Sequence, residues 1–301
     1  WKINEIVYVK RDINPISATL IRENPIKYWN KIAWAFRPYF STNILITGTA
    51  SEGKSTLTKD IATYFGIPYS EEYGRTYMEF YGKSDTDLTI NDFQEFLIEQ
   101  RRDTKSKIES PGNNGIVISD TDNLVTLMYA QAYVEDNNID LTKEDYKTLE
   151  ALAWNIKRGI QWDKIFLLPP KNKFVDDGCR YMEQSSMEER TKNYNRLVNL
   201  LKQFGWWDKV EIINGDYLEN FETVKAYING KFNFNNTVIE LDDERTNNQA
   251  YVENWIYKQM GLIANVFRIQ NLYAYISVGI EHVGPKNADN YLVIFDITSR
   301  I

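Results

Sequence analysis

The segment that most constrains this chain is the run Gly48-Thr-Ala-Ser-Glu-Gly-Lys-Ser55. It fits the pattern G-x-x-x-x-G-K-[ST], with an apolar run at 44–46 before it and a helix-forming run at 57–65 after it. This order of strand, loop and helix is the context that the pattern requires. Glycines let backbone N–H groups turn towards phosphate oxygens, and the helix N-terminus adds the positive end of its dipole. The segment therefore predicts a nucleoside triphosphate site at the end of a strand.

The same loop supplies the first predicted site residues. We expect Lys54 to neutralise the β- and γ-phosphates of ATP and the hydroxyl of Ser55 to coordinate Mg²⁺. The alternative is a glycine-rich turn with an accidental lysine, which the flanking strand and helix disfavour. The predicted ATP-binding residues are Gly48, Thr49, Ala50, Ser51, Glu52, Gly53, Lys54, Ser55 and Thr56.

Apolar runs that alternate with helical segments predict an α/β fold of the P-loop NTPase type. The apolar runs show little polar alternation and have helices on both sides, which is typical of a parallel sheet covered on both faces. Strands are predicted at 43–47, 67–70, 115–119, 164–168 and 210–213, and helices at 54–65, 90–108, 122–134, 143–157 and 186–204.

The chain divides into three predicted regions. Residues 1–40 contain a strand-like run at 6–9 and a helical stretch at 25–36, and residues 41–231 form the P-loop domain. Residues 232–301 are expected to form a small C-terminal α+β unit whose role the sequence does not indicate. Its predicted elements are a helix at 249–262 and β-rich runs at 266–280 and 291–297.

An acidic residue ends the third predicted strand. Asp120 follows the buried-type run 115–119. In P-loop proteins an aspartate at this position holds Mg²⁺, usually through water, so Asp120 joins Ser55 as a predicted metal residue. The alternative is that Asp120 caps the helix that begins near Asn123. A carboxylate can do both.

A second acidic cluster, Glu71-Glu-Tyr-Gly-Arg75, follows the second predicted strand. Ligands of α/β sheets bind outside the carboxyl ends of the strands, where the acceptor substrate of a kinase is expected to lie. A kinase that acts on a hydroxyl benefits from a carboxylate that accepts its proton, and Glu72 and Asp122 both qualify. A solvated acidic turn is the alternative for Glu71 and Glu72.

Two further loops follow the fourth and fifth strands. The polar run Phe174–Arg180 suits a lid over the phosphates, in which Arg180 stabilises the charge of the transferring phosphoryl group. Arg190 and Arg196 on the next helix are weaker candidates, because helical arginines are more often solvated. The run Asn214–Tyr217 either borders the adenine ring or is a simple Asn-Gly turn.

Composition excludes several function classes. A net charge of −7 argues against a general nucleic-acid binder. The chain contains no apolar run near the roughly 20 residues that span a bilayer, so no membrane partner is expected. The single cysteine, Cys179, leaves no intramolecular disulfide and fits a reducing cytoplasm. The single histidine, His282, excludes paired-histidine metal sites and the HxGH motif of nucleotidyltransferases.

Taken together, the motifs resemble the nicotinamide riboside kinase domain of NadR-type proteins over residues 41–231. The matching pieces are Arg37-Pro-Tyr-Phe40, the loop at 48–55, Glu72-Tyr-Gly-Arg75, Asp120-Thr-Asp122, and Val175-Asp-Asp-Gly178 with Arg180. The run Ile16–Arg22 resembles the closing ISxTxxR motif of the adenylyltransferase domain that precedes this kinase in NadR proteins. We interpret residues 1–40 as a remnant of that domain, without adenylyltransferase activity.

The resemblance implies ATP-dependent phosphorylation of the ribose 5′-hydroxyl of nicotinamide riboside, a step of NAD salvage. ATP and Mg²⁺ are the implied cofactors. The implied catalytic residues are Lys54, Glu72, Asp122 and Arg180, the substrate-binding residues are Glu72, Tyr73, Arg75, Asp122 and Asp177, and the metal residues are Ser55 and Asp120.

The residues are compatible with this substrate, whose pyridinium ring is cationic. Acidic groups and the aromatic faces of Tyr73, Tyr77 and Trp154 would attract it, although core packing is the simpler role for Tyr77 and Trp154. The chain departs from the family at Thr49-Ala50, where a Gly-Glu pair is more usual. Neither position supplies the required glycine or lysine.

Two other interpretations fit the same motifs. One is a P-loop kinase of another nucleoside or small metabolite. The other is a non-catalytic module that senses ATP or a pyridine nucleotide. The acid pair Glu72 and Asp122 favours an enzyme, because a sensor would not need it.

Overall fold

Five parallel strands form the central sheet, as the sequence predicts. The protein is described by a computed structural model that covers residues 16–136, 139–159, 161–175, 186–232, 273–282 and 291–300. The strand order in space is β2-β3-β1-β4-β5, and every pair of neighbours is parallel. The α/β P-loop fold class is therefore confirmed. The strands are β1 (Thr42–Gly48), β2 (Tyr69–Ser70), β3 (Ile116–Asp120), β4 (Lys164–Leu168) and β5 (Val210–Ile212).

Nine helices accompany this sheet within the described residues. The five helices predicted for residues 41–231 are present with bounds that shift by no more than two residues, whereas the helices at 73–81 and 217–232 in the same region were not predicted. The helices are α1 (Ala18–Glu23), α2 (Arg37–Phe40), α3 (Lys54–Phe65), α4 (Tyr73–Tyr81), α5 (Ile90–Ile108), α6 (Asn123–Asp136), α7 (Lys143–Lys157), α8 (Met187–Gln203) and α9 (Tyr217–Phe232).

The predicted helix at 25–36 is wrong. The segment forms turns and two short 3-10 helices, Trp29–Lys31 and Trp34–Phe36. Trp29 is 4% exposed, and its indole N–H donates to the carbonyl of Asn113 at 2.9 Å. This contact with a residue distant in sequence anchors the segment in an irregular path, since tertiary packing outweighs weak local helix propensity.

Successive residues of the central strands enter two separate cores. In β1, Ile44 and Ile46 face the core that α3 and α9 cover, and Leu45 faces the larger core under α5, α6, α7 and α8. In β3, Val117 likewise faces the larger core, while Ile116 faces the other. This alternation follows from the period of two along a strand. It explains why strands covered on both faces are apolar throughout.

The chain consists of two compact units, Trp1–Asn233 and Phe234–Ile301. The described part of the second unit is an antiparallel pair, β6 (Tyr273–His282) and β7 (Tyr291–Arg300). The predicted strand at 6–9 and helix at 249–262 lie outside the described residues. Over the described part of the chain, no helix is long and apolar enough to cross a membrane.

We predict that Leu45→Ala destabilises the first unit by about 2–5 kcal/mol, because it leaves a cavity between the sheet and the helices. Leu45 is 0% exposed. The free energy of unfolding in urea measures the effect. Leu218→Ala, at a position on α9 that is 64% exposed, is the control and should change it by no more than about 0.5 kcal/mol. Equal effects of the two substitutions would contradict this description of the core.

Candidate functional site

The glycine-rich loop connects β1 to α3, as the motif requires. Gly48 ends β1 with φ of +148°, and a Cβ at this position would lie 2.5 Å from the carbonyl oxygen of Leu168 on β4. Gly53 precedes α3 in the left-handed region, with φ of +79°. Ser51 also has a positive φ, of 62°. Gly53 therefore allows a backbone conformation that side chains disfavour, and Gly48 allows β1 to approach β4 at a point where a side chain would collide.

The buried ammonium group of Lys54 lies inside this loop. Lys54 is 6% exposed, and its Nζ donates to the carbonyl of Thr49 at 2.8 Å. Pairing of β1 with β3 sets Asp120 opposite Ile46, at the carboxyl end of the sheet. The charge of Lys54 and the side chain of Ser55 both act on the carboxylate of Asp120. Lys54, Ser55 and Asp120 therefore form one cluster.

The charges in this cluster oppose one another. Burial raises the pKa of Asp120, the positive charge of Lys54 lowers it, and the negative charge of Glu72 raises it, with a net shift upwards. Asp120 is 3% exposed, so water screens these charges little. The cluster therefore combines two acids and a cation at the end of β3, and an added cation would favour the ionised form of Asp120.

The donors in the cluster suit Mg²⁺. Asp120 offers a carboxylate and Ser55 a hydroxyl oxygen, and these two side chains interact. Mg²⁺ prefers oxygen ligands and keeps several waters. No group of three or more His, Cys, Asp or Glu residues that could hold a metal is found in the ranges that the structure describes. This composition fits an ion that a nucleotide brings with it better than one held by the protein alone.

Glu72 joins this cluster to a pocket with aromatic walls. The pocket begins at Glu72 and Thr121 and extends between α4, α5 and α6. Asp85, which is 4% exposed, also lines it and accepts a hydrogen bond from the hydroxyl of Tyr133 at 2.9 Å. The aromatic lining residues are Phe93, Phe96, Tyr129 and Tyr133.

Sequence reasoning missed this pocket. Asp85 and the aromatic residues lie on helical segments, where apolar residues at such spacing are normally read as core. The folded structure shows that these residues border a space beside the phosphate loop, because α5 and α6 line the same pocket as Glu72. No local signal distinguishes them from ordinary core residues.

Asp122 has different surroundings from Asp120. Its Oδ1 accepts from the backbone N–H of Leu124 at 3.1 Å, and its Oδ2 accepts from the indole N–H of Trp162 at 3.3 Å. Thr121, between the two aspartates, has a φ of 70°. Burial raises the pKa of Asp122 to about 7, and its two hydrogen bonds only partly offset this shift. The structure thus brings Lys54, Ser55, Glu72 and Asp120 together and turns Asp122 towards the protein interior.

The other predicted substrate residues have mixed surroundings. The hydroxyl of Tyr73 donates to Glu95 at 3.3 Å, and Arg75 pairs with Glu72 at 3.8 Å. The hydroxyl of Tyr77 donates to Asp92 at 2.6 Å. Of these residues, Arg75 is therefore the one paired with the carboxylate at the mouth of the pocket.

Three other predictions concern residues further along the chain. The indole of Trp154 stacks on Phe204 with 4.2 Å between the ring centroids, as expected for packing. The Nζ of Lys171 donates to the carbonyl of Asn214 at 3.1 Å, which ties the predicted adenine loop to the segment after β4. Asp177 and Arg180 lie outside the described residues.

The family comparison matches residues 43–219 with the AAA domain family. The trifunctional NAD biosynthesis/regulator protein NadR of Salmonella typhimurium is 27% identical over 199 residues, which make up 66% of this chain and 45% of that protein. NadR of Escherichia coli gives the same values. The chain therefore spans less than half the length of these relatives.

Solved structures give a consistent result. A NadR protein in complex with NR is 34% identical, with a TM-score of 0.67, and the match covers 75% of this chain and 61% of that one. A NadR protein in complex with NAD and AMP-PNP is 32% identical, with a TM-score of 0.64, and the match covers 75% and 59%. The resemblance to NadR-type proteins that the motifs indicated is thus confirmed.

We predict that Asp122→Asn reduces the pH dependence of stability. The pKa of about 7 in the folded protein exceeds the value of about 3.9 expected for the unfolded chain. Between these values only the folded state binds the proton, so the wild-type protein loses stability as the pH rises. Relative to wild type, the variant should gain about 2–4 kcal/mol of unfolding free energy between pH 5 and pH 8.

Urea unfolding of both proteins at the two pH values measures this difference. Other acids, Asp120 among them, titrate in both proteins, and their contributions cancel in the comparison. Identical pH dependence in the two proteins would show that Asp122 is ionised in the folded state throughout this range.

Proposed function

The chain belongs to the AAA domain family, and from this premise we propose that it is a kinase of nicotinamide riboside (NR). It transfers the γ-phosphoryl group of ATP to the ribose 5′-hydroxyl and forms nicotinamide mononucleotide and ADP, a step of NAD salvage. One observation carries this proposal. Glu72 acts on the phosphate cluster of Lys54, Ser55 and Asp120, and it also lines an acidic, aromatic pocket. The NadR structures with NR and with AMP-PNP support it. We also propose a cytoplasmic location, which the single cysteine favours.

ATP binds with its phosphates against the loop at 48–55. The backbone N–H groups of the loop and the N-terminus of α3 face the phosphate oxygens, and Lys54 supplies a positive charge. Ser55 and Asp120 would hold Mg²⁺, and the bound ion would neutralise charge on the phosphates. The positive charge of Lys54 already acts on Asp120 in the absence of a nucleotide.

Glu72 is our candidate for the group that accepts the proton of the acceptor hydroxyl. The negative charge of Glu72 raises the pKa of Asp120, and Glu72 also lines the aromatic pocket. Glu72 would therefore border both substrates. The hydrogen bonds of Asp122 with Leu124 and Trp162 favour a structural role for that acid. The roles of Arg180 in stabilising the transition state and of Asp177 in binding substrate stay predictions.

The pocket suits a cationic aromatic ring. Faces of aromatic side chains attract cations, and the attraction grows when the cation leaves water. The four aromatic residues named above line the walls, and the carboxylates of Glu72 and Asp85 add negative charge. A pyridinium riboside is therefore favoured over an uncharged nucleoside of the same size. Tyr73 and Arg75, next to Glu72 in sequence, complete the proposed binding residues.

Incubation of the purified chain with Mg-ATP and a panel of ribosides tests the substrate, with products identified by mass. We expect turnover of nicotinamide riboside and loss of that turnover in Lys54→Ala, since charge neutralisation supplies much of phosphoryl-transfer catalysis, on the order of 10²-fold or more. Lys59→Ala, an exposed lysine on the same helix, is the control and should remain active. ATP binding without turnover of any riboside would instead indicate a sensing module.

We predict that Glu72→Gln lowers kcat by about 10²-fold or more, the usual contribution of a general base, and leaves the KM for ATP nearly unchanged. Steady-state kinetics at saturating acceptor measures both. Glu79→Gln, an exposed position on α4, is the matched control. Asp122→Asn decides between the two acids, and a larger loss of kcat there than in Glu72→Gln would make Asp122 the base.

A further inference from the structure

A carboxylate is buried inside the phosphate-binding loop itself. Glu52 occupies the position before Gly53, and its side chain is 0% exposed. Its Oε1 accepts from the backbone N–H of Lys171 at 3.2 Å, and its Oε2 accepts from the side-chain amide of Asn172 at 3.0 Å and from the backbone N–H of that residue at 3.3 Å. The carboxylate is therefore held by the segment that follows β4.

The cation that compensates this carboxylate comes from α8. Arg190 lies on the first turn of that helix, its side chain is 2% exposed, and its Nη2 forms an ion pair with Glu52. Its Nη1 donates to the carbonyl of Asn172 at 2.8 Å. Burial lowers the pKa of Arg190, but guanidinium remains charged in proteins. The pair is thus a buried contact between two charged groups, 138 residues apart in sequence.

The neighbouring loop residue contacts the same segment. The hydroxyl of Ser51 accepts from the backbone N–H of Val175 at 3.1 Å and lies 3.3 Å from the carbonyl oxygen of that residue. Two consecutive residues of the phosphate loop are therefore bonded to residues 171–175. Both occupy positions at which the motif accepts any residue, so nothing in the motif itself requires these contacts.

We propose that Arg190 and Glu52 are positioning residues for ATP binding, in which Arg190 cancels the negative charge that Glu52 brings into the phosphate loop and the pair fixes the loop against residues 171–175. This inference rests on the proposed use of the loop to bind ATP. A carboxylate close to polyphosphate repels it, and burial strengthens this repulsion. With Arg190 in place the loop carries a neutral pair, and the positive charge of Lys54 acts on the phosphates without that opposition.

Substitution of Arg190 separates this role from simple stabilisation of the fold. Arg190→Met leaves the charge of Glu52 uncompensated, so we expect the Kd and the KM for ATP to rise on the order of tenfold or more, with little change in the KM for the acceptor. The double variant Glu52→Gln with Arg190→Met removes the repelling charge as well. It should recover most of the lost ATP affinity even though it restores no ion pair.

The control is Arg196→Met, on the same helix, where the arginine pairs with the partly exposed Glu135. It should leave ATP affinity within about twofold of wild type, since it removes no charge from the loop. Calorimetric titration of each folded variant with Mg-ATP gives the affinities, and thermal unfolding verifies that the variants are folded. If Arg190→Met does not fold, Arg190→Gln, which is also neutral but can still donate to the carbonyl of Asn172, provides the same comparison with and without Glu52→Gln.

Two results would overturn the proposal. One is an ATP affinity of Arg190→Met equal to that of wild type, and the other is an equal loss in the single and the double variant, which would mean that the charge of Glu52 is irrelevant. Because the titration needs no acceptor, it tests the pair even if nicotinamide riboside is not the substrate. Wild-type protein that binds ATP but phosphorylates no riboside would refute the proposed function and leave the pair standing.

Discussion

Burial of the Lys54 ammonium group determines how the site is arranged. A cation removed from water must be compensated by nearby charge or by hydrogen-bond acceptors, or it destabilises the fold. Here the carbonyl of Thr49 accepts a hydrogen bond from within the loop, and the carboxylate of Asp120 supplies the opposite charge. Asp120 can do so because β3 lies beside β1 in a register that pairs it with Ile46. The strand order of the sheet is thus a condition for the electrostatics of the loop.

Three buried acids near the carboxyl edge of the sheet are stabilised in three different ways. The charge of Lys54 acts on Asp120, Glu52 forms an ion pair with Arg190, and Asp122 accepts hydrogen bonds from Leu124 and Trp162. Burial raises the pKa of both aspartates. At Asp120 the positive charge of Lys54 opposes this shift, whereas at Asp122 only two hydrogen bonds oppose it. Buried carboxylates at this edge of the fold thus have three different environments.

The sequence predicted those parts of the structure that local patterns determine. The phosphate loop, the strands and Asp120 at the end of β3 were all predicted, because spacing and apolar runs encode them within a few residues. The aromatic pocket and the pair of Glu52 with Arg190 were not, because each joins segments far apart in the chain. Arg190 was only a weak candidate for the site, because helical arginines are more often solvated, and its burial depends on α8 lying against the loop. The helix at 25–36 was wrong for the same kind of reason, since Trp29 is anchored by Asn113.

The two halves of the proposed site have different structural origins, and this bears on the acceptor. The phosphate half is built from strand ends and the loop between them, where backbone geometry leaves little freedom: at Gly48 even a methyl group would collide with Leu168. The acceptor half is built from side chains on α4, α5 and α6, whose identity the sheet does not constrain. Substitutions there can change the charge and shape of the pocket without disturbing the phosphates. For the kinase that we propose, the fold would account for phosphoryl transfer as such, and the proposed preference for a cationic riboside would rest on Glu72, Asp85 and the aromatic walls.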